Sequence, residues 1–352
     1  MVKEVFKYYL LHMGVGNVGR AVLQQVRDNR QWVQRTYGID LIYCGLFDSQ
    51  ASVFNAQGLS LAQINAFPSS GIEDINRSIR LMPKPFALID TTASEQILPL
   101  LAEAAARGGA VILANKNPLA AGQSDFKKLS KLAGRRLFYE TTVGAGLPVI
   151  QTLKTLIATG DKIIRIEGCF SGTLGFIFSQ LQKGDSLSEA VLQAKKLGFT
   201  EPDPRDDLSG LDVARKALIL ARTLGAHMEM TDIKIKKIYP RAMEKLSAGE
   251  FLNKLPELDS LFKAKINLAR QRAKTLRFVA QVEHGDYRVG LREVDLNSDI
   301  GSLNGSDNII IFKTRRYSKQ PLVIKGPGAG VEVTAAGVFD DILQAAQQGA
   351  KL

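Results

Sequence analysis

Through the first 150 residues, short runs of consecutive apolar side chains alternate with longer stretches in which apolar positions recur every three or four residues. The runs are VFKYYLLHM, IDLIYCGLF, FALID, AVILA and LFYET. A strand covered on both faces reads as a continuous apolar run, whereas a half-covered strand alternates. Between the runs, RAVLQQVRDNRQWVQ and SEQILPLLAEAAARG carry helical spacing. This order predicts an α/β domain with a parallel sheet and helices on its faces. From about residue 151 to 305 the pattern changes to long helical stretches with the strands IIRIEGCF, LRFVAQVE and YRVGLREV, which predicts an α+β domain. Near the end, PLVIKGPGAGVEVTAAGVFDDIL reads as a strand, a glycine turn and a helix that returns to the first domain. The expected division is therefore residues 1–150 plus about 328–352, and residues 151–327.

At 352 residues, 45% hydrophobic and 23% charged, the chain has the composition of a globular protein with a sizeable core. No apolar run approaches the roughly 18 residues of a membrane span, and the N-terminus lacks a signal-peptide cleavage site. Cys44 and Cys169 sit in strand-like runs and form neither a disulfide framework nor a metal-ligand spacing, so a reducing, cytoplasmic setting is the simplest expectation. His12, His227 and His284 are scattered, which leaves the chemistry to lysines and carboxylates. The net charge of +11 raises nucleic-acid binding, but clusters such as KIKK are short and no nucleic-acid motif surrounds them. A positive field that welcomes an anionic cofactor accounts for the charge equally well.

HMGVGNVGR changes the picture most. Gly14, Gly16 and Gly19 have the G-x-G-x-x-G spacing, with a strand before and a helix after. The first glycine permits a tight turn, the second admits a pyrophosphate to the backbone, and the third lets helix and strand pack closely. The helix N-terminus adds unpaired N–H groups and partial positive charge. The expected fold is a Rossmann-type dinucleotide-binding domain. Asp48, at the end of the second strand, is either a ribose ligand favouring NAD or a turn residue. No lysine or arginine lies between residues 37 and 76 to meet a 2′-phosphate, which leaves Arg20 for that role.

Other candidates follow the later strands. LIDTTAS places Thr92 and Ser94 at the sheet edge where ligands collect, as cofactor contacts or as helix caps. LANKNPLA puts Lys116 at the same edge. YETTVGAGLPVI is either a hinge or, through Glu140 and irregular carbonyls, a site for a hard monovalent cation. In EPDPRDDLSGLDVARK, Asp212 and Lys216 are one helical turn apart. The helix is apolar around most of its circumference, so Lys216 is expected to be buried, and a buried lysine held by an aspartate suits general acid catalysis. Capping by Ser209 and Asp212 plus a surface ion pair is the simpler alternative. The prolines stiffen the path of Glu201 and Asp203, giving a carboxylate cluster suited to an ammonium group.

Taken together, GVGNVG, ANKNPLA, ETTVGAGLPVI, SGTLGFIFS, LGFTEPDPRDDLSGLDVARK and GPGAGVEVTAAGVF resemble the homoserine dehydrogenases over nearly the whole chain. The resemblance implies NAD(P)-dependent interconversion of L-aspartate 4-semialdehyde and L-homoserine, a step of threonine, methionine and isoleucine synthesis. It implies that Gly14, Val15, Gly16, Asn17, Val18, Gly19, Thr92, Lys116 and Gly330 touch the cofactor. A sodium- or potassium-like ion is implied at Glu140, Val143, Ala145 and Leu147, mostly through carbonyls. Glu201 and Asp207 are implied to bind substrate, with Lys216 transferring the proton, Asp212 orienting it and Lys116 adding charge. A homodimer is implied, with the second domain serving substrate binding and dimerisation. A monofunctional enzyme without attached kinase or effector domain, and little threonine feedback, is also implied. The rival expectations are another NAD(P)-dependent amino-acid dehydrogenase on the same scaffold, or a dinucleotide-sensing regulator without turnover.

Overall fold

The computed structural model describes residues 5–68 and 73–351. Its contacts divide the chain into two compact units, residues 1–146 with 330–352, and residues 147–329.

The first unit is built on a six-stranded sheet: β1 (Phe6–Met13), β2 (Ile39–Phe47), β3 (Ser52–Phe54), β4 (Phe86–Asp90), β5 (Ala110–Leu113) and β6 (Leu137–Phe138). The order is β3-β2-β1-β4-β5-β6, all parallel except the short antiparallel β3. Every residue of β4 and β5 is buried, which explains their continuous apolar runs. The direction of winding reverses between β1 and β4, the switch point where such sheets bind ligands. Helix Asn17–Tyr37 lays Val22, Val26 and Val33 on the sheet and stops at Gly38, whose left-handed backbone (φ 69°) returns an N–H to the Gln34 carbonyl. Helix Val331–Gly349 packs beside it. Its Ala335, Val338, Ile342 and Ala346 are buried in one cluster with Leu10, Val22, Ile89 and Ile112.

Two local expectations change, and one of the two readings of Asp48 is met. The LFYET strand ends after Phe138, because Glu140–Thr142 forms a 3-10 turn. The helix read from Ser94 begins at Leu98, with Pro99 in its first turn, so neither Thr92 nor Ser94 caps it. Asp48 has a turn role: its Oδ1 accepts the N–H groups of Gln50 (2.9 Å) and Ala51 (3.1 Å).

The second unit also carries six strands: β7 (Ile163–Cys169), β8 (Lys234–Ile235), β9 (Lys274–Glu283), β10 (Asp286–Asp295), β11 (Asp307–Thr314) and β12 (Leu322–Pro327). Their order is β12-β11-β7-β9-β10-β8, antiparallel apart from the β10–β8 edge pair. Helices Gly172–Lys183, Leu211–Thr223 and Asp259–Gln271 pack against β9. β11 has no counterpart in the sequence reading, although NIIIF is an apolar run of the kind a central strand shows. Among the described residues, no helix is long and apolar enough to cross a membrane.

Candidate active site

The glycine loop follows β1 at the switch point. Gly14 has φ +89°, and a Cβ there would lie 2.6 Å from the Thr91 carbonyl carbon and the Thr92 nitrogen. Only glycine combines that backbone with so close an approach to the end of β4. At Gly19 a Cβ would lie 2.2 Å from the Gly14 carbonyl oxygen, so the helix seats directly on the turn. Gly16 differs: nothing lies within 4 Å of its would-be Cβ. It is the N-cap of helix Asn17–Tyr37, which has neither a side-chain cap nor an acid in its first turn. The first N–H groups of a 21-residue helix thus open onto free space beside a glycine, an arrangement that fits a pyrophosphate. Val15 is buried beneath the loop, Val18 is half-buried and Asn17 is exposed.

The ends of β4 and β5 are tied together by Asp90. Its fully buried carboxylate accepts the Thr92 N–H (2.9 Å), the Thr92 hydroxyl (2.7 Å) and the Asn115 amide (3.1 Å). Burial pushes this carboxyl above the usual carboxylate range, and the three hydrogen bonds only partly oppose it. Asn115 also donates to the Ser94 carbonyl (2.8 Å), and Asn117 to that of Ala93 (3.0 Å). The two asparagines flanking Lys116 therefore lash one loop to the other, with half-buried Lys116 between them at the start of the short helix Asn117–Ala120. Gly330 (φ +133°) begins helix Val331–Gly349, also without a side-chain cap.

After β6 the chain makes its 3-10 turn and passes through Gly144 (φ +88°) and Ala145 (φ +53°). A left-handed alanine is uncommon and persists only where its surroundings fix it. Here helix Val331–Gly349 does so: a Cβ on Gly146 would lie 2.2 Å from the Val333 carbonyl oxygen, and one on Gly337 would lie 3.3 Å from that of Ala145. Asp341, from the same helix, accepts the Glu140 N–H (3.0 Å). Glu140, Val143 and Ala145 are buried. Leu147 begins the second unit, and its carbonyl accepts the Val149 N–H (2.8 Å). Among the described residues no group of three or more His, Cys, Asp or Glu could hold a metal.

In the second unit, helix Leu211–Thr223 is buried on several sides, and Lys216 is only 9% exposed. Its Nζ donates to Asp212 Oδ2 (2.8 Å) and to the Phe170 carbonyl beyond the end of β7 (2.6 Å). Asp212 is partly exposed. The capping-box alternative does not form. The N-cap is Gly210, forced to be glycine by φ +74° and by the Phe278 ring 2.6 Å from its would-be Cβ, while the Ser209 hydroxyl accepts the Leu211 N–H (3.2 Å) and donates to the Asp206 carbonyl (2.8 Å).

The acidic stretch before that helix divides in two. Asp203 caps helix Pro204–Leu208 and is gripped by the Arg205 guanidinium, whose Nε lies 3.0 Å from it. Hydrogen bonding to that guanidinium holds the Asp203 carboxyl below its ordinary range. Asp203 has the extended backbone expected of it (φ −104°, ψ 108°), and Pro204 then opens the short helix. Asp207 is the other kind of acid. Its Oδ2 accepts the Glu201 N–H (2.9 Å), Thr173 also hydrogen-bonds it, and among the described residues no ion pair holds it. Burial pushes it up to about 6, helped by the nearby carboxylates of Glu201 and Asp212. The second unit thus gathers Glu201, Asp207, Asp212 and Lys216. Sequence reasoning missed Thr173 and the Phe170 carbonyl. The signal was the strand-to-helix junction FSGTLG, where Ser171 caps a helix and the glycines at 172 and 175 pack on the backbone of residues 305–306.

Both units have counterparts among known proteins. The profile of the family described as "Homoserine dehydrogenase" matches residues 148–343, and that described as "Homoserine dehydrogenase, NAD binding domain" matches residues 14–140. Homoserine dehydrogenase of Schizosaccharomyces pombe is 37% identical over 96% of this chain and 94% of that protein. Bifunctional aspartokinase/homoserine dehydrogenase of Haemophilus influenzae is 37% identical over 98% of this chain but 43% of that protein. The chain spans about two fifths of the length of such bifunctional relatives. Among solved structures, a Candida auris protein of unknown function superposes with TM-score 0.90 at 31% identity, covering 97% and 99% of the two chains. A hyperthermophilic archaeal homoserine dehydrogenase mutant in complex with NADPH gives 0.75 at 25% identity, covering 97% and 98%. With both units matched, the second over more than half of the sequence, the chain belongs to the homoserine dehydrogenase family.

Proposed function

We propose that this protein interconverts L-aspartate 4-semialdehyde and L-homoserine, using NAD(P) as hydride carrier. The observation that carries this reading is the buried Lys216 ammonium, held by Asp212 and the Phe170 carbonyl, in the same unit as an Asp207 carboxyl that feels the charges of Glu201 and Asp212. When bound, the nicotinamide supplies or accepts the hydride, and the loop of Gly14, Val15, Gly16, Asn17, Val18 and Gly19, with Thr92, Lys116 and Gly330, holds the dinucleotide. Lys216 gives a proton to the carbonyl oxygen of the semialdehyde, or takes one from the homoserine hydroxyl. Asp212 keeps that ammonium oriented through the exchange. Glu201 and Asp207 receive the substrate α-ammonium, and Lys116 contributes positive charge for the developing oxyanion or the substrate carboxylate. The carbonyls of Val143, Ala145 and Leu147, with Glu140, hold a sodium or potassium ion. We further propose a homodimer, for which sedimentation at assay concentration is the check.

The test is an absorbance assay of reduced cofactor with a panel of hydroxy-amino acids. Oxidation of homoserine should exceed that of all others. A different preferred substrate would make this another amino-acid dehydrogenase on the same scaffold. Cofactor binding with no turnover of any substrate would make it a dinucleotide sensor. Parallel rates with NADPH and NADH decide the coenzyme. Replacing alkali cations by a bulky organic cation should lower activity if the carbonyl cluster is occupied.

A pH dependence follows from Asp207. Below the ordinary carboxylate range the group is protonated whether folded or unfolded, so its burial penalty is absent there. The penalty grows as pH climbs to about 6, where the folded carboxyl ionises later than the unfolded one. A substrate ammonium offsets that penalty. The KM for amino-acid substrate should therefore rise as pH falls through about 6, and Asp207→Asn should abolish that inflection, with a KM at every pH close to the one the wild type reaches at low pH. An inflection retained in Asp207→Asn would assign it to another group.

A further inference from the structure

His12 is the last but one residue of β1 and is completely buried, with its ring stacked on Tyr43 (centroids 6.2 Å apart, planes 19° apart). Its Nδ1 has no hydrogen-bond partner among the described residues, and neither has the Tyr43 hydroxyl. An imidazole is a poor occupant of such a place: leucine would fill it without burying a bare nitrogen lone pair. The other ring nitrogen explains the choice. His12 Nε2 lies 2.9 Å from the Thr91 hydroxyl. That hydroxyl is 2.6 Å from the Gly14 carbonyl oxygen and 3.2 Å from that of Met13, while the Thr91 N–H donates to Met13 as well (2.9 Å).

A hydroxyl has one proton, and a carbonyl has none to give. The short contact to Gly14 therefore uses the Thr91 proton, and His12 must supply the other bond as donor. The imidazole is fixed as the neutral Nε2–H tautomer; burial pushes its pKa down to about 3, which keeps it uncharged. The result is a buried chain from His12 to Thr91 to the Gly14 carbonyl, the same oxygen against which Gly19 packs. A trans peptide is planar, with C=O and N–H opposed. Holding the Gly14 oxygen toward Thr91 therefore turns the Val15 N–H to the opposite side of the loop.

We infer that His12 is a positioning residue for the dinucleotide: through Thr91 it locks the Gly14–Val15 peptide so that the glycine loop offers donors, not a carbonyl, to the pyrophosphate. The inference rests on the first unit binding NAD(P), and not on which substrate the protein turns over.

The experiment is fluorescence titration of the full chain with NADPH, alongside thermal unfolding without ligand. His12→Leu should fold with unchanged or raised stability yet bind NADPH about tenfold more weakly. His12→Gln, whose amide donates from a position close to Nε2, should recover most of that loss. Thr91→Val should weaken binding similarly, and the double variant His12→Leu/Thr91→Val should be no weaker than the worse single one. The KM for the amino-acid substrate should not move. NADPH binding within about twofold of wild type in His12→Leu would overturn the inference, as would an NMR spectrum showing His12 protonated at Nδ1. If His12→Leu fails to fold, Thr91→Val and His12→Gln decide the matter. Wild-type protein that binds NADPH but does not oxidise homoserine would defeat the proposed function and leave this inference standing.

Discussion

Replacing Lys216 with alanine is expected to lower turnover by about 10²–10⁴, the usual worth of a positioned proton donor, while NADPH binding stays at the wild-type level. The structure makes this a sharp test because the lysine's fixed partners lie wholly within the second unit: Asp212 at 2.8 Å and the Phe170 carbonyl at 2.6 Å. Truncation removes the Lys216 ammonium from the Phe170 carbonyl and from the partly exposed Asp212, a stability loss of about 1–2 kcal/mol that the remaining fold should absorb. Lys216→Arg keeps the charge but brings a planar, permanently protonated group into a slot shaped for an ammonium, so turnover should fall nearly as far. Asp212→Asn should cost less than either, because the Phe170 carbonyl still holds the amine. If Lys216→Ala turned over at near the wild-type rate, the lysine would be only a buried tether between helix Leu211–Thr223 and the end of β7.

The second large effect is expected in the glycine loop, where two neighbouring substitutions should fail in different ways. Gly19→Ala drives a methyl group to 2.2 Å from the Gly14 oxygen, so helix and loop must separate. It should lose about 1–3 kcal/mol of stability and most cofactor affinity together. Gly16→Ala meets nothing within 4 Å in the unliganded fold and has an ordinary negative φ of −79°. Its stability should match the wild type, while its NADPH affinity falls by about tenfold or more, because the methyl group stands where phosphate oxygens approach the backbone. Thermal unfolding with and without NADPH separates the two. A Gly16→Ala variant that binds NADPH normally would mean that the dinucleotide does not lie over this glycine.

The fold was readable where physics writes on side-chain order. β4 and β5 are buried on both faces and appear as unbroken apolar runs, and the glycine loop announces itself because its first and third glycines are required by φ and by van der Waals contact. The short edge strands β3 and β8 carry too few residues to show a period, and the central β11 was passed over despite its apolar run. At the candidate site, the one-turn spacing of Asp212 and Lys216 and the apolar helix around them were visible in the sequence. Which acids retain their charge for a ligand was not. Asp203 and Asp207 look equivalent in EPDPRDD until Arg205 folds back onto one and burial raises the other. The Phe170 carbonyl was beyond reach because a backbone acceptor has no residue type, and the His12–Thr91 contact because it spans 79 positions.

The return of helix Val331–Gly349 to the first unit has a consequence for biogenesis. Chain emerges from the ribosome in order, and domains ordinarily condense as they appear. Here the sheet built from residues 6–138 lacks Ala335, Val338, Ile342 and Ala346 of its apolar interior until nearly two hundred further residues have been translated. The later-made unit, contiguous from 147 to 329, can close first. The dinucleotide unit must meanwhile wait with an oily flank uncovered, which makes nascent chains stalled before residue 331 natural clients for holdase chaperones.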